Sequence, residues 1–135
     1  MSGIALVLHK RGYIITGSDS TKTKLTEDLE SKGIKVYYGH SRSNIAENVD
    51  LIVRTSTVGD TNPEIMEAVE RGIKITERYE MLNFISKYYN NNLGVAGSHG
   101  KTTSSSYLWK ILQSLANKNV NEDFTNPSLF LGSVI

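Results

Sequence analysis

The sequence predicts an α/β protein: a Rossmann-like parallel sheet, followed by the opening strand, loop and helix of a P-loop domain. Three features indicate this fold class. Short apolar segments alternate with amphipathic ones over residues 1–90, a glycine leads into a strand-forming segment at 33–36 and again at 72–75, and a glycine-bounded loop occupies 97–103. Strands that alternate with helices are typical of parallel sheets, because parallel neighbours need a crossover connection.

The first predicted helix covers residues 2–11, with Ile4, Val7 and Leu8 on one face and Gly12 as its stop. Tyr13–Thr16 is predicted to be a buried strand because apolar and β-branched residues follow one another, and the turn Gly17–Ser20 comes next. The remaining elements of this region are a helix over 23–32 ended by Gly33, strands over 34–38 and 51–53, a helix with Asn62 as N-cap and Pro63 in its first turn that ends at Gly72, and a strand that begins at Ile73.

The polar segment Lys87–Asn92 is the predicted domain boundary, which gives one domain over 1–90 and the start of a second over 91–135. In the second, an apolar run ending at Val95-Ala96 predicts a strand. The stripe Leu108, Ile111, Leu112 and Leu115 predicts a helix, because these residues recur at helical spacing. A polar stretch and an apolar, strand-like run at 128–135 follow.

The composition excludes several classes of protein. Of 135 residues, 39% are hydrophobic and 21% charged, and a formal net charge of +1 gives no electrostatic case for nucleic acid or a membrane surface. No apolar stretch approaches the ~18 residues of a membrane span, and the N-terminus lacks the order of a signal peptide. The chain has no cysteine, which excludes disulfides and fits a reducing cytosol. His9, His40 and His99 lack metal-ligand spacing.

The loop Gly97-Ser98-His99-Gly100-Lys101-Thr102-Thr103 carries the strongest chemical signal. Its glycines allow backbone N–H groups to close around phosphate oxygens, and the following helix adds the positive end of its dipole. Lys101 is predicted to reach the outer phosphates and the Thr102 hydroxyl to coordinate Mg²⁺. The usual G-x-x-x-x-G-K-[ST] spacing is not met, since Val95 stands where its first glycine is expected. The alternative is a Gly/Ser-rich turn that caps an ordinary helix.

With this spacing, the loop at 97–103 resembles the ATP loop of the Mur ligases, whose pattern is G-[TS]-x-G-K-[TS]. Other segments are similar to that family, in its order and close to its spacing: Met1-Ser2-Gly3-Ile4-Ala5, Gly17-Ser18-Asp19, Gly39-His40, Asn62-Pro63-Glu64-Ile65 and Arg78-Tyr79-Glu80-Met81-Leu82. A histidine at position 99 looks most like the branch that joins L-alanine to UDP-N-acetylmuramate, and like its muropeptide-ligase relatives. The resemblance extends over essentially all 135 residues.

The resemblance implies an ATP-dependent, cytoplasmic ligase of peptidoglycan precursor synthesis, with UDP-N-acetylmuramate and L-alanine as substrates and ATP and Mg²⁺ as cofactors. In the family, the N-terminal domain holds the UDP end of the sugar nucleotide and the central domain holds ATP. Alanine then attacks an acyl phosphate formed on the muramate carboxylate. Lys101 is the implied catalytic residue, because it neutralises the transferring phosphoryl group, and Thr102 is the implied metal ligand. The implied nucleotide loop comprises Gly97, Ser98, His99, Gly100, Lys101, Thr102 and Thr103.

Five residues near the carboxyl ends of predicted strands are candidate contacts for UDP: Ser18, Asp19, His40, Ser56 and Arg78. Ligands of open α/β sheets bind at that edge, where Asp19 is placed for a ribose hydroxyl and Arg78 for a pyrophosphate. Each has a structural alternative. Asp19 suits a turn, Arg78 suits an ion pair with Glu77 or Glu80, and His99 suits the geometry of its loop.

Relative to the family pattern, we expect a fragment that is inactive alone, with the possibility of complementation by the remainder of the ligase. In the family, a strand and a Gly-rich turn precede the Met1–Ala5 segment, and a later strand supplies an acidic residue to the Mg²⁺ site. The alternatives are another ligase of this type, such as a muropeptide or folate-type polyglutamate ligase, and a non-catalytic nucleotide-binding module.

Overall fold

The computed structural model describes residues 1–118, in two units: Met1–Ser86, and a second that begins at Lys87. The first unit contains α1 (Ser2–Lys10), β1 (Thr16–Asp19), α2 (Lys24–Ser31), β2 (Lys35–Tyr38), a 3₁₀ turn (Arg42–Asn44), β3 (Leu51–Arg54), α3 (Pro63–Glu70), β4 (Lys74–Glu77) and α4 (Arg78–Ser86). The second contains α5 (Lys101–Asn117). The strand-like run predicted at 128–135 lies outside the described residues.

The strands form two parallel pairs, which confirms the α/β class and the parallel pairing. β1 pairs with β2, from Thr16 opposite Lys35 to Asp19 opposite Tyr38. β3 pairs with β4, from Leu51 opposite Lys74. Within residues 1–118 the two pairs are not joined by any strand-to-strand hydrogen bonding. Since strands in a parallel pair run the same way, the carboxyl ends of each pair meet at one edge.

The core of the first unit forms around α1. Ile4 and Leu8 on α1 are 5% and 7% exposed, and α1 packs on α2 and α4, so it connects the β1 side of the unit to the β4 side. The other buried apolar side chains are Ile34, Val36, Ile65, Ala68, Met81 and Ile85. Fully burying one large aliphatic side chain stabilises the fold by about 1.5–3 kcal/mol relative to leaving it exposed, so this small set carries much of the stability.

Three helices of the first unit end at a glycine with positive φ, as the sequence predicts. The φ angles of Gly12, Gly33 and Gly72 are +88°, +85° and +68°. At the end of α1, the N–H of Gly12 donates to the His9 carbonyl at 2.9 Å and that of Tyr13 donates to the Leu8 carbonyl at 3.2 Å. This is the Schellman arrangement, which satisfies carbonyls that the helix leaves unpaired.

The predicted helix starts are also confirmed. Thr23 caps α2 through a reciprocal pair of hydrogen bonds with Thr26. Asn62 caps α3 by accepting the Glu64 N–H at 2.9 Å, and Pro63 lies in the first turn, where its missing N–H costs nothing.

The position of β1 corrects the predicted strand Tyr13–Thr16. Residues 13–15 are outside the strand, and Tyr13 and Ile14 are 46% and 89% exposed rather than buried. The Tyr13 N–H is used to close α1, and pairing with β2 begins only at Thr16. Gly17–Asp19, predicted as a turn, therefore belongs to the strand.

The strand predicted to end at Val95-Ala96 is wrong as well. Residues 91–97 have no helical or strand structure, and Leu93 and Val95 are 68% and 37% exposed. A parallel strand needs a hydrogen-bonded neighbour, and among residues 87–118 no second strand supplies one. The predicted helix is confirmed as α5, although none of its side chains is buried.

The Gly12 turn gives a stability prediction. Gly12→Ala should lower the free energy of unfolding by about 1–2 kcal/mol, because an L-residue is strained in the left-handed region. A Cβ at Gly12 would meet no atom within 4 Å, so the effect is conformational rather than steric. Urea unfolding measures it. Gly17→Ala is the matched control, since this site is equally open and has no positive φ. Equal effects of the two substitutions would contradict the argument.

Candidate functional site

A polar cluster forms where the carboxyl ends of β1 and β2 meet the start of α3. Ser18 Oγ donates to Glu64 Oε2 at 2.6 Å. His40 Nδ1 lies 3.4 Å from Ser18 Oγ and 3.5 Å from Glu64 Oε2. The fold therefore brings together Ser18 and His40, two of the predicted UDP contacts, on either side of one carboxylate.

Glu64 is held firmly at this position. Asn44 Nδ2 donates to Glu64 Oε1 at 2.6 Å and to the Gly39 carbonyl at 3.0 Å. The Glu64 side chain is only 12% exposed, and it lies in the first turn of α3, where the helix dipole favours a negative charge. Hydrogen bonds from Ser18 and Asn44 thus hold the carboxylate in a partly buried place.

Asp19 and Arg78 lie near the start of α1. Both act on the Met1 amine: its pKa is lowered by burial and then by the Arg78 charge, while Asp19 opposes the shift. No side chain caps the N-terminus of α1. A guanidinium and an uncapped helix N-terminus, two groups that bind phosphate well, therefore occur in one region of the molecule. Asp19 Oδ1 also accepts a hydrogen bond from the Thr21 N–H at 3.2 Å. This is the kind of local turn contact given above as the structural alternative for Asp19.

The carboxylates beside Arg78 both have structural roles. Glu80 Oε2 accepts the Glu77 N–H at 2.9 Å and the Thr76 hydroxyl at 2.7 Å. The hydrogen bond from the Glu77 N–H has the larger effect in lowering the pKa of Glu80, and that from the Thr76 hydroxyl adds to it. The Glu77 carboxylate accepts from Arg54 Nε at 2.8 Å. Together they fix the junction of β4 and α4, at which Arg78 is the first helical residue.

Ser56 occupies a different place from Ser18 and His40. It lines a cavity of about 400 Å³ at the carboxyl ends of β3 and β4, together with Arg54, Val58, Gly59, Asp60, Glu77 and Tyr79. Arg54 pairs with both Glu77 and Asp60 in this cavity. Its charge is neutralised there by the two carboxylates, which makes the cavity a weak anion site.

In the second unit, the predicted nucleotide loop leads directly into α5. Gly100 is the N-cap with φ +73°, a left-handed conformation that favours glycine. Lys101 Nζ donates to the carbonyl oxygens of Gly97 at 2.6 Å and Ser98 at 3.2 Å, so the ammonium lies over the loop. Thr102 and Thr103 are exposed in the first helical turn.

Glu64 and Asn44 are polar residues of the site that the sequence interpretation missed. From the sequence, Glu64 is placed only in the family-like segment Asn62-Pro63-Glu64-Ile65, without a role in a ligand site. The available signal was its place in Asn62-Pro63-Glu64, directly after the carboxyl end of a strand and its loop, where α/β proteins bind ligands. Nothing in the local sequence pairs Asn44 with Glu64, which lies 20 residues away.

No three His, Cys, Asp or Glu side chains within residues 1–118 are grouped so that they could hold a metal ion. None of the helices in this part of the chain has the length and apolar character needed to cross a membrane.

Comparison with known proteins identifies the family. Residues 1–90 match the family model described as "Mur ligase family, catalytic domain". The chain belongs to the Mur ligase family. This confirms the resemblance seen in the motifs.

Three of the most similar curated relatives carry the name UDP-N-acetylmuramate–L-alanine ligase. The protein of Agathobacter rectalis is 40% identical over 135 residues, which is 100% of this chain and 28% of the relative. Those of Brachyspira hyodysenteriae and Geotalea uraniireducens are 46% and 47% identical over 112 residues, 83% of this chain and 24% of each relative. The chain thus spans about a quarter of the length of the relatives that it matches.

Solved structures agree with the family. The UDP-N-acetylmuramate–alanine ligase of Thermotoga maritima superposes with a TM-score of 0.80 at 31% identity, over 85% of this chain and 27% of that one. A ligase of Neisseria meningitidis, titled UDP-N-acetylmuramate:L-alanyl-γ-D-glutamyl-meso-diaminopimelate ligase, gives a TM-score of 0.78 at 26% identity, over 86% of this chain and 36% of that one.

The contacts of Glu80 give a pH prediction. Because the pKa of Glu80 is lowered in the folded chain, its contribution to stability is complete above the unfolded value of about 4.5 and is lost as the pH falls through the folded value. Glu80→Gln should therefore flatten the acid side of the stability profile, measured by urea unfolding from about pH 3 to about pH 7. Glu47→Gln, at an exposed loop residue, is the control. Identical acid profiles for wild type and Glu80→Gln would contradict this role.

Proposed function

We propose that this chain carries the UDP-sugar site and the start of the ATP site of a cytoplasmic UDP-N-acetylmuramate–L-alanine ligase. The observation that carries the proposal is that Ser18 and His40 both lie against the carboxylate of Glu64. In the same unit, Asp19 and Arg78 lie near the start of α1. Family membership and the printed names of the relatives support the reaction class. Its domains are proposed as residues 1–90 for the sugar nucleotide and 91–135 for the beginning of the ATP domain.

In this proposal the diphosphate binds near Arg78 and the N–H groups that begin α1. These groups supply positive charge and directed donors, as phosphate recognition requires. Asp19 binds a ribose hydroxyl, and Ser18 and His40 supply the polar edge beside it. Ser56 contributes from the separate cavity next to β3. The sugar nucleotide is thus bound at the carboxyl ends of the strands, the usual ligand edge of α/β sheets.

ATP is proposed to bind at the nucleotide loop, with Gly97, Ser98, His99, Gly100 and Thr103 around the phosphates. Lys101 neutralises the transferring phosphoryl group and Thr102 is a ligand of Mg²⁺, which supplies further positive charge. The residues present fit one side of such a site: Lys101 Nζ lies within 3.2 Å of two loop carbonyls, and Thr102 is exposed in the first turn of α5.

A second candidate is a ligase that adds a peptide rather than L-alanine. The similarity to the Neisseria meningitidis structure favours it, with a TM-score of 0.78. The curated relatives at 40–47% identity favour L-alanine. The alternative that is not an enzyme is a non-catalytic nucleotide-binding module. The turnover assay described below, run also on a longer chain, distinguishes an active ligase from such a module.

The first functional prediction concerns UDP. The chain should bind UDP in isothermal calorimetry, and Arg78→Gln should weaken binding by about ten- to a hundredfold, the value of one or two charge-assisted hydrogen bonds. Arg11→Gln is the matched control, since Arg11 is the C-cap at the opposite end of α1. Equal UDP affinity of the two variants, with both folded by circular dichroism, would contradict the proposed diphosphate site.

The second concerns ATP. Lys101→Ala should abolish whatever ATP binding the chain has, because it removes the one ammonium at the loop. Lys110→Ala, on the same helix more than two turns later, should leave binding unchanged. Both are measured by titration with a fluorescent ATP analogue. Retained affinity in Lys101→Ala would remove Lys101 from the proposed ATP site.

The third concerns turnover. The chain alone should release no phosphate from ATP in the presence of UDP-N-acetylmuramate and L-alanine. Positioning and charge stabilisation each supply several kcal/mol of barrier lowering, and Lys101 and Thr102 provide only part of the required set. A chain extended to the length of the relatives is the positive control. Turnover by residues 1–135 that disappears in Lys101→Ala would overturn this prediction.

A further inference from the structure

We infer that Glu64 fixes the protonation pattern of His40, so that the imidazole presents an unprotonated Nε2 to the nucleoside part of the ligand. The inference rests on the proposed UDP site and adds to it a positioning residue, Glu64. It follows from the donors and acceptors that surround one ring nitrogen.

The first step is the proton of Ser18. A hydroxyl has one proton, and Ser18 Oγ gives it to Glu64 Oε2 at 2.6 Å. Towards His40 Nδ1, at 3.4 Å, Ser18 Oγ therefore offers only lone pairs. The other neighbour of Nδ1 is the Glu64 carboxylate at 3.5 Å, which is also an acceptor. Both neighbours favour a proton on Nδ1.

The second step is the state of Nε2. A neutral imidazole carries one N–H and one bare nitrogen, and the partner of one nitrogen decides the state of the other. With the proton on Nδ1, Nε2 carries a lone pair. The His40 side chain is 34% exposed, so the ring is open in part to a ligand.

The third step is the rigidity of the arrangement. Asn44 fixes the second oxygen of Glu64, so that the carboxylate has little freedom to rotate. The residue before His40 is fixed as well, because the Gly39 N–H donates to the Asp19 carbonyl at 2.8 Å and continues the pairing of the two strands. The ring and the carboxylate therefore remain together without a ligand.

The chemistry of the ligand contact follows from the lone pair. Ionised phosphate oxygens are acceptors, so they gain no hydrogen bond from a bare Nε2. The ribose hydroxyls and the imide N–H of uracil are donors. His40 is thus assigned to the nucleoside end of UDP, and the diphosphate is left to Arg78 and the start of α1.

The test uses nitrogen-15 NMR of the histidine side chains in residues 1–135. The state of each ring nitrogen is read directly, and His40→Gln assigns the signal. In the wild-type chain without ligand, His40 should carry its neutral-state proton on Nδ1. Glu64→Gln places an amide donor in the cluster and should shift the proton toward Nε2. Glu67→Gln, one turn later on α3 with its carboxylate near Arg42 and Arg71, is the matched control and should leave His40 unchanged.

The ligand arm uses three probes: uridine, UDP and inorganic pyrophosphate. Uridine and UDP should move the His40 Nε2 signal, whereas pyrophosphate should move amide signals at the start of α1 only. Glu64→Gln should weaken uridine binding by about tenfold, one hydrogen bond, with less effect on pyrophosphate.

The outcomes separate this inference from the proposed function. A wild-type His40 with its proton on Nε2 overturns the inference without any variant, even if Glu64→Gln fails to fold. UDP that moves Arg78 and Asp19 signals but not His40 Nε2 also overturns it, and leaves the UDP site standing. UDP that moves no signal overturns the proposed site, and with it the assignment of His40 to the nucleoside.

Discussion

The carboxylate of Glu64 links the two strand pairs of the first unit, which share no backbone hydrogen bonds within residues 1–118. The carboxylate accepts hydrogen bonds from Ser18 on β1 and from Asn44 in the 3₁₀ turn. Glu64 itself belongs to α3, the helix between β3 and β4. Two further kinds of contact connect the halves. Arg42 pairs with Glu67 and Glu70 on α3, and Arg71 donates to backbone carbonyls of residues 45–47. In addition, α1 packs on both α2 and α4. The hydrophobic contacts are non-directional, whereas the carboxylate and the two arginines make directed contacts between the halves.

This division of roles explains why the polar residues cluster where they do. The glycine-ended helices return the chain to the amino end of each strand, so the functional side chains collect at the opposite, carboxyl edge. Ser18, Asp19 and His40 come from the same strand pair, and Arg78 follows the other. Ser56 belongs to the second pair too, but it lies beside a guanidinium that two acids have already neutralised.

The sequence predicted the elements with strong local signals and missed those that depend on distant partners. The C-terminal glycines of three helices and the cap Asn62 are local, and all of them occur as expected. The strand at Tyr13–Thr16 was misplaced, because an apolar run looks the same whether or not a neighbour pairs with it. Only the register with Lys35 decides that β1 begins at Thr16. The helix Arg78–Ser86 was not predicted, although Met81 and Ile85 at helical spacing are its buried face.

For the site, residue types at strand ends identified Ser18 and His40 as neighbours of a ligand edge, but not as neighbours of each other. Their meeting depends on Glu64, which is 46 residues from Ser18. A contact of that range has no signature in one sequence, because it follows from the packing of α3 against the sheet. The residue types at the strand ends could thus be identified from the sequence, and the geometry that combines them could not.

Lys101 is hydrogen-bonded to its own loop, and this affects the free energy with which the loop binds an anion. Its ammonium already has two carbonyl partners, at 2.6 and 3.2 Å. The side chain has therefore lost rotamer freedom before any anion arrives, a loss of up to about 2 kcal/mol for a lysine in full. An anion that binds this ammonium must displace the two carbonyl acceptors as well as water. The lysine is held over its own loop before a ligand binds, which lowers the entropic cost of ordering it and offsets part of the gain from the new ion pair.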